Sequence, residues 1–133
     1  MNELLEFLTE NPVEDMTEEL YPSERFAKAG LKFTVKIIGG EEYAKYQKQS
    51  LKIQKKGKAE FDNARFNSFV IFNHVVEPSF VSEENIKAAG CATPAQFLNK
   101  SLKAGEIEGL VEKIMELSGF KQDADELIEE AKN

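Results

Sequence analysis

A series of helix start and stop signals in the second half of the chain limits its possible fold more than any other feature. Thr93 stands directly before Pro94, and Gln96 follows three residues after the threonine. A threonine cap, a proline at the first helical position and a glutamine that reaches back form a strong helix start. Gly90 and Gly119 can adopt the left-handed conformation that ends a helix. The second half is therefore predicted to fold into several short helices.

The first residues of the chain predict a short amphipathic helix. Residues 2–10 place Leu4, Leu5 and Leu8 on one helical stripe. The Asn-Pro pair at residues 11–12 then ends the helix, because proline cannot continue it.

The next part of the chain has the pattern of β-structure. Residues 31–38 alternate between apolar and polar side chains, which is typical of a strand with one wet face. Together with residues 25–29 and a turn at Gly30, they are predicted to form a β-hairpin. Residues 13–21 are predicted to be extended.

The middle of the chain favours helices. Residues 41–53 have a helical face that contains Tyr43 and Tyr46. Residues 59–76 are the most apolar stretch of the chain, and they are interpreted as one helix because polar residues precede the stretch without a turn signal. Residues 70–76 alone are also compatible with a strand.

These elements together predict an α+β fold in which a small N-terminal β-hairpin element is followed by a mostly helical body of five to six short helices. The chain is long enough to bury a core as one domain. The predicted organisation is a single domain over residues 1–133, with an N-terminal helix at 1–12, a strand and hairpin region at 13–38, and a helical body at 41–133.

Charge is distributed in three blocks, and the net charge is −7. Residues 1–24 carry eight acidic and no basic side chains, residues 25–65 carry eleven basic and four acidic, and residues 66–133 carry twelve acidic and six basic. Such blocks can neutralise one another within the fold or bind partners with matching charge. The overall negative sign argues against nucleic acid as the main partner.

Targeting signals and membrane segments are not predicted. No apolar run approaches the roughly 20 residues of a membrane-spanning helix. Glu3 and Glu6 stand where a secretory signal would carry positive charge. We therefore expect a cytoplasmic protein that does not bind a membrane.

The sequence offers no convincing catalytic constellation. Cys91 and His74 are the only cysteine and histidine, and each has an apolar or joint-like setting that is typical of a structural residue. The glycine pair at residues 39–40 lacks the lysine and spacing of a phosphate-binding loop. We therefore predict no catalytic, cofactor-binding or metal-binding residues, and no enzyme. The carboxylates of the penultimate predicted helix are interpreted as a solvated face: Glu106, Glu108, Glu112 and Glu116.

The basic stretch at residues 45–58 has three interpretations. The favoured one is an exposed lysine face on a helix whose tyrosines enter the core. Lysines beside aromatic residues can also contact a nucleic-acid backbone. The third interpretation is docking to an acidic protein surface.

A set of motifs in a particular order and spacing gives the sequence a family resemblance. The chain resembles the XkdN-like tail assembly chaperones of long-tailed bacteriophages and defective prophages over residues 13–133. Cys91 departs from the family pattern, in which a small aliphatic residue is expected. The motifs are the strand at residues 33–38, Glu41-Glu42-Tyr43, Phe61-Asp62-Asn63-Ala64-Arg65-Phe66-Asn67, Val75-Val76-Glu77-Pro78-Ser79-Phe80, Gly90-Cys91-Ala92-Thr93-Pro94, Gly105-Glu106-Ile107 and Glu116-Leu117-Ser118-Gly119-Phe120.

The resemblance implies a function in phage assembly. Such chaperones coat the tape measure protein, keep it soluble until tube subunits polymerise around it, and are absent from the finished virion. The implied partner is the tape measure protein, with the tail tube protein and a second copy of the chain as further candidates, in the cytoplasm of the bacterial host. The alternative is a structural tail component or connector that is retained in the virion.

Two apolar stripes are candidates for binding a client helix by groove packing. They consist of Leu4, Leu5 and Leu8 near the N-terminus, and Leu127 and Ile128 near the C-terminus. The alternative for each stripe is that it closes the core of the domain itself.

Overall fold

The structure is a computed structural model that describes residues 2–120. Within these residues the chain forms seven α-helices, five short strands and one 3-10 turn at Val13–Asp15. The helices are α1 (Glu3–Glu10), α2 (Glu24–Ala29), α3 (Gly40–Gln49), α4 (Asn63–His74), α5 (Glu83–Ala88), α6 (Pro94–Ser101) and α7 (Ala104–Leu117), and the strands are β1 (Thr17–Leu20), β2 (Phe33–Lys36), β3 (Leu51–Ile53), β4 (Ala59–Phe61) and β5 (Val75–Glu77).

Strand β2 is the centre of a three-stranded antiparallel sheet in the order β1-β2-β5. Phe33 and Val35 are buried, whereas Thr34 and Lys36 are half-buried. The alternation predicted for this strand is therefore confirmed. Because β5 follows α4 in the chain, the sheet joins two distant parts of the sequence.

The core lies between this sheet and the helices α4 and α7. Helix α7 contributes Leu110, Val111 and Ile114, which recur at the three- and four-residue spacing of one helical face. Glu108, Glu112 and Glu116 are exposed, so most of the acidic side chains of α7 lie away from the core. The buried apolar cluster contains Phe33, Val35, Ile38, Tyr46, Phe66, Val70, Ile71, Val75, Phe80, Leu98, Leu102, Leu110, Val111 and Ile114.

The predicted N-terminal hairpin is wrong. Residues 25–29 belong to helix α2, which ends at Gly30 with a φ of +72°. A glycine with positive φ suits a helix end as well as a hairpin turn, so its presence alone does not separate the two. The described strands are spread from β1 to β5 among seven helices, instead of preceding a body of five to six.

The middle of the chain also differs from the prediction. The helix predicted over residues 41–53 ends at Gln49, and the next residues form β3. The segment predicted as one helix over residues 59–76 is a strand, a helix and the start of another strand. Asp62 explains the break, because its carboxylate accepts a hydrogen bond from the Arg65 backbone N–H at 3.1 Å and caps α4.

The helix boundaries predicted around residue 93 are confirmed. The Thr93 hydroxyl accepts a hydrogen bond from the Gln96 N–H at 3.1 Å, and Pro94 is the first helical residue. The Gln96 side chain reaches back to the Ala92 N–H at 2.8 Å. Gly90 and Gly119 have φ values of +72° and +96°.

Candidate functional site

Helix α1 presents an exposed apolar face that consists of Leu4, Leu5, Phe7 and Leu8, hereafter the α1 face. Leu4 is 68% exposed and Leu8 is 58% exposed. No residue of α1 is buried. The three predicted binding leucines of this stripe therefore lie together at the surface. The sequence-based prediction left Phe7 out of the binding stripe, although its position three residues after Leu4 indicates the same side of a helix.

Local hydrogen bonds support α1 without burial. The Asn2 side chain accepts from the Leu5 N–H at 2.7 Å, and Glu3 and Glu6 lie in the first turn, where negative charge favours a helix. At the other end, the Asn11 side-chain amide donates to the Phe7 carbonyl at 2.8 Å. A helix of eight residues is marginal alone, so capping matters here. The apolar side chains of α1 are thus exposed, while the helix itself is stabilised by its own caps.

The second predicted binding stripe, Leu127 and Ile128, lies outside the described residues. Its role in binding a client stays a prediction.

A second exposed apolar face lies on the two-stranded hairpin formed by β3 and β4. Leu51 pairs with Phe61, and Ile53 pairs with Ala59. Paired residues and alternate residues of a strand share one face, so these four side chains form the hairpin face. Ile53 is 86% exposed, the largest value among the exposed large apolar side chains of the described chain.

Sequence reasoning missed the hairpin face because strands of three residues are too short to show an alternation distinct from a helical period. The available signal was Lys56-Gly57, which has the glycine of a hairpin turn between two apolar segments.

His74 is fully buried and belongs to the core. Its Nδ1 lies 3.2 Å from the Lys36 carbonyl, which can only accept, so Nδ1 carries the proton. Its Nε2 then accepts from the Tyr46 hydroxyl at 2.9 Å, and the Glu42 carboxylate lies 3.5 Å away. Burial lowers the pKa of His74 despite the nearby Glu42 carboxylate. Burial also raises the pKa of Tyr46 to about 12, with a further contribution from Glu42.

Glu106 contradicts its predicted place on a solvated face, because it is only 6% exposed. Its carboxylate accepts from the Arg25 guanidinium at 2.7 and 3.0 Å, from the Ser23 hydroxyl at 2.5 Å and from the Lys103 N–H at 2.8 Å. The hydrogen bond from Arg25 is the main reason that the pKa of Glu106 falls to about 2. The cluster links α2 to α7 beside an open cleft of about 630 Å³. Its polar groups satisfy one another, which indicates a structural role.

Cys91 and His74 have different surroundings. The Cys91 thiol lies 3.7 Å from the Ala89 carbonyl beside a shallow pocket that also contains Ile86 and Lys87. His74 is fully buried, and its two ring nitrogens contact Tyr46 and the Lys36 carbonyl. It therefore does not pair with Cys91. Over residues 2–120, no three metal-ligating side chains converge, and no helix has the length and apolar character needed to cross a bilayer.

Comparisons with known proteins bear on the fold and on the family of this chain. The crystal structure of the protein yqbn has a similar fold, with a TM-score of 0.64 and 23% sequence identity over 91% of this chain and 99% of that chain. No curated protein matches the sequence. Residues 4–132 match the family described as phage XkdN-like tail assembly chaperone protein. The chain belongs to this family of phage tail assembly chaperones, which confirms the resemblance noted in the sequence.

Proposed function

We propose that this protein binds the phage tape measure protein and keeps it soluble in the host cytoplasm while the tail tube polymerises, and that it is absent from the finished virion. Membership of the tail assembly chaperone family is the observation that carries this proposal. The protein acts by binding, without catalysis, cofactor or metal. The tail tube protein and a second copy of the chain are further candidate partners.

The α1 face supports a binding role on physical grounds. A long client with amphipathic helices exposes apolar stripes that would aggregate in water. The α1 face can pack against such a stripe in the way that amphipathic helices pack into apolar grooves. Leu4, Leu5 and Leu8 remain the proposed contacts, and we propose Phe7 as a further one because it is exposed on the same face. Leu127 and Ile128 remain proposed contacts from the sequence.

The net charge supports the same role. A charge of −7 on 133 residues helps to keep a coated complex dispersed, because like-charged particles repel each other. The client is thus covered by apolar contacts, while the outer surface of the chaperone remains charged.

Co-expression with a tape measure protein of the same phage or prophage tests the proposal. We expect a soluble complex with the chaperone and insoluble tape measure protein without it. Insoluble tape measure protein in both cultures would contradict the binding function.

Mass spectrometry of purified virions tests the second part of the proposal. A chaperone is expected to be missing from finished particles, whereas the tube and tape measure proteins are present. Recovery of the chain in a fixed ratio to the tube protein would instead establish the alternative, a structural component of the tail.

A further inference from the structure

The hairpin face is an apolar surface that the rest of the described chain covers only in part. Among its side chains, Phe61 contacts the body through Phe66, with 5.6 Å between the ring centroids. Leu51 is 51% exposed and Ile53 projects further still. An isolated two-stranded hairpin is marginal in water, so retaining apolar side chains on its open face gives little stability to the fold. Such a patch is typical of an interaction surface.

Positive charge is concentrated in the chain segment that leads into β3 and the hairpin turn. Residues 45–58 contain six lysines and no acidic residue. Lys52 pairs with Asp62 at 3.2 Å, and the Gln54 amide donates to Glu60. Both nearby carboxylates therefore already have a partner. Lys55 and Lys56, at the turn, form no ion pair within the described residues. Lys58 pairs with Gln54 and therefore lies on the other side of the hairpin from Ile53 and Ala59. The partner best suited to this surface therefore carries acidic side chains beside an apolar stripe.

The turn of the hairpin also places a lysine in an unfavourable conformation. Lys56 has a φ of +79°, and Gly57 follows with +74°. A side chain with a Cβ costs about 1–2 kcal/mol in the left-handed region, where glycine or asparagine is usual. Strained residues of this kind concentrate at functional sites. The positive charge at the tip of the hairpin is thus retained at a cost to local stability.

We propose that the hairpin face docks an acidic amphipathic helix of the client, with the apolar stripe of the helix on Leu51, Ile53 and Phe61 and its carboxylates beside Lys55 and Lys56 at the turn. This proposal rests on the proposed chaperone function. Three residues of a strand span about 7–10 Å, which matches one and a half to two turns of a helix. The α1 face lies in the acidic block of residues 1–24 and suits a stripe flanked by basic residues instead.

Two synthetic helical peptides with the same leucine stripe test the proposal, one flanked by glutamates and the other by lysines. Binding to the full chain is measured by fluorescence anisotropy in a Leu4→Gln/Leu8→Gln background, so that the α1 face does not contribute. We expect the glutamate peptide to bind and added salt to weaken it. Ile53→Gln and Lys55→Glu/Lys56→Glu are each expected to weaken binding by about tenfold or more.

Matched control substitutions keep the result specific. Val81→Gln removes an apolar side chain that is 50% exposed outside both faces and is expected to leave the affinity unchanged. Unfolding curves of all variants show whether each remains folded, and the charge reversal leaves the apolar side chains in place.

Three results would overturn the proposal. They are equal binding of both peptides, an affinity that Ile53→Gln does not change, and concentration-dependent self-association that Ile53→Gln abolishes without any peptide binding.

The peptide measurement contains no tape measure protein. Peptide binding with no soluble tape measure complex would therefore reject the proposed function and keep the acidic-helix surface, while the opposite pair of results would reject only this inference.

Discussion

The body of the protein and its two exposed elements use apolar side chains in opposite ways. In the body, Val70, Leu110 and Ile114 are fully buried against one another and the sheet. In α1 no side chain is buried, and in β3 and β4 every residue is exposed. Buried and exposed apolar side chains thus belong to separate parts of this chain, and the proposed function assigns binding to the exposed ones. Substitutions in the two regions should therefore have separable effects.

The largest effect on stability is expected in the body. Leu110→Ala leaves a cavity between α7 and its neighbours and should lower the free energy of unfolding by about 2–5 kcal/mol. Urea denaturation measures the change. Ile53→Ala is the matched control, because this residue is 86% exposed and its truncation should cost less than about 0.5 kcal/mol. Similar losses from both variants would remove the distinction between the two regions.

Acid sensitivity should also originate in the body, first through His74. Burial lowers its pKa, so the folded state releases a proton that the unfolded state binds near pH 6.5. Its contribution to stability is present above about pH 6.5 and is lost as the pH falls below that value. Melting temperatures between pH 7.5 and 5 measure the slope. We expect His74→Gln to be less stable at pH 7.5 but to lose less on acidification; an unchanged slope would contradict the role of burial.

Glu106 should add to the loss of stability in acid, but at lower pH than His74. Its pKa of about 2 lies below the ordinary 4.5, so its stabilisation is present above about pH 4.5 and is lost as the pH falls toward 2. Glu106→Gln is expected to lower the melting temperature at pH 7 and to reduce the further loss between pH 4.5 and 2. Glu108→Gln, on the exposed side of α7, serves as the control and should change neither. A Glu106 variant with the wild-type acid profile would show that the Arg25 contact is not stabilising.

The smallest effect is expected at the hairpin tip. Lys56→Gly relieves the left-handed strain and should stabilise the hairpin by up to about 1 kcal/mol. Hydrogen exchange of the Gln54 amide, which donates to the Lys58 carbonyl at 2.7 Å, should slow accordingly. Global unfolding should stay unchanged, because the hairpin contributes little to the core. Faster exchange in the variant would contradict the presence of strain at Lys56.

The sequence predicted those parts of the fold that depend on neighbouring residues. The Thr93 cap, the Pro94 start and the alternation of β2 all follow from local chemistry, and the structure has each of them. Gly30 was ambiguous, because its positive φ ends helix α2 as readily as it would turn a hairpin.

The remaining features depend on distant residues. The burial of Glu106 requires Arg25, which lies 81 positions earlier in the chain. The hairpin face depends on the pairing of Leu51 with Phe61. In the sequence, Leu51 also fits the helical period of residues 41–53, so the strand is not apparent. The exposure of α1 could not be predicted either, because an apolar stripe alone does not distinguish a core helix from a binding helix.

The soluble yield of co-expressed tape measure protein, measured with the Leu4→Gln/Leu8→Gln chaperone, tests whether the α1 face holds the client. Glutamine preserves helix propensity, and the matched variant Leu31→Gln/Val81→Gln removes two similarly exposed side chains outside both faces. The α1 variant should keep the wild-type melting temperature and lose most of the soluble tape measure protein, while the matched variant keeps both. Full solubilisation by the α1 variant would show that this helix does not hold the client.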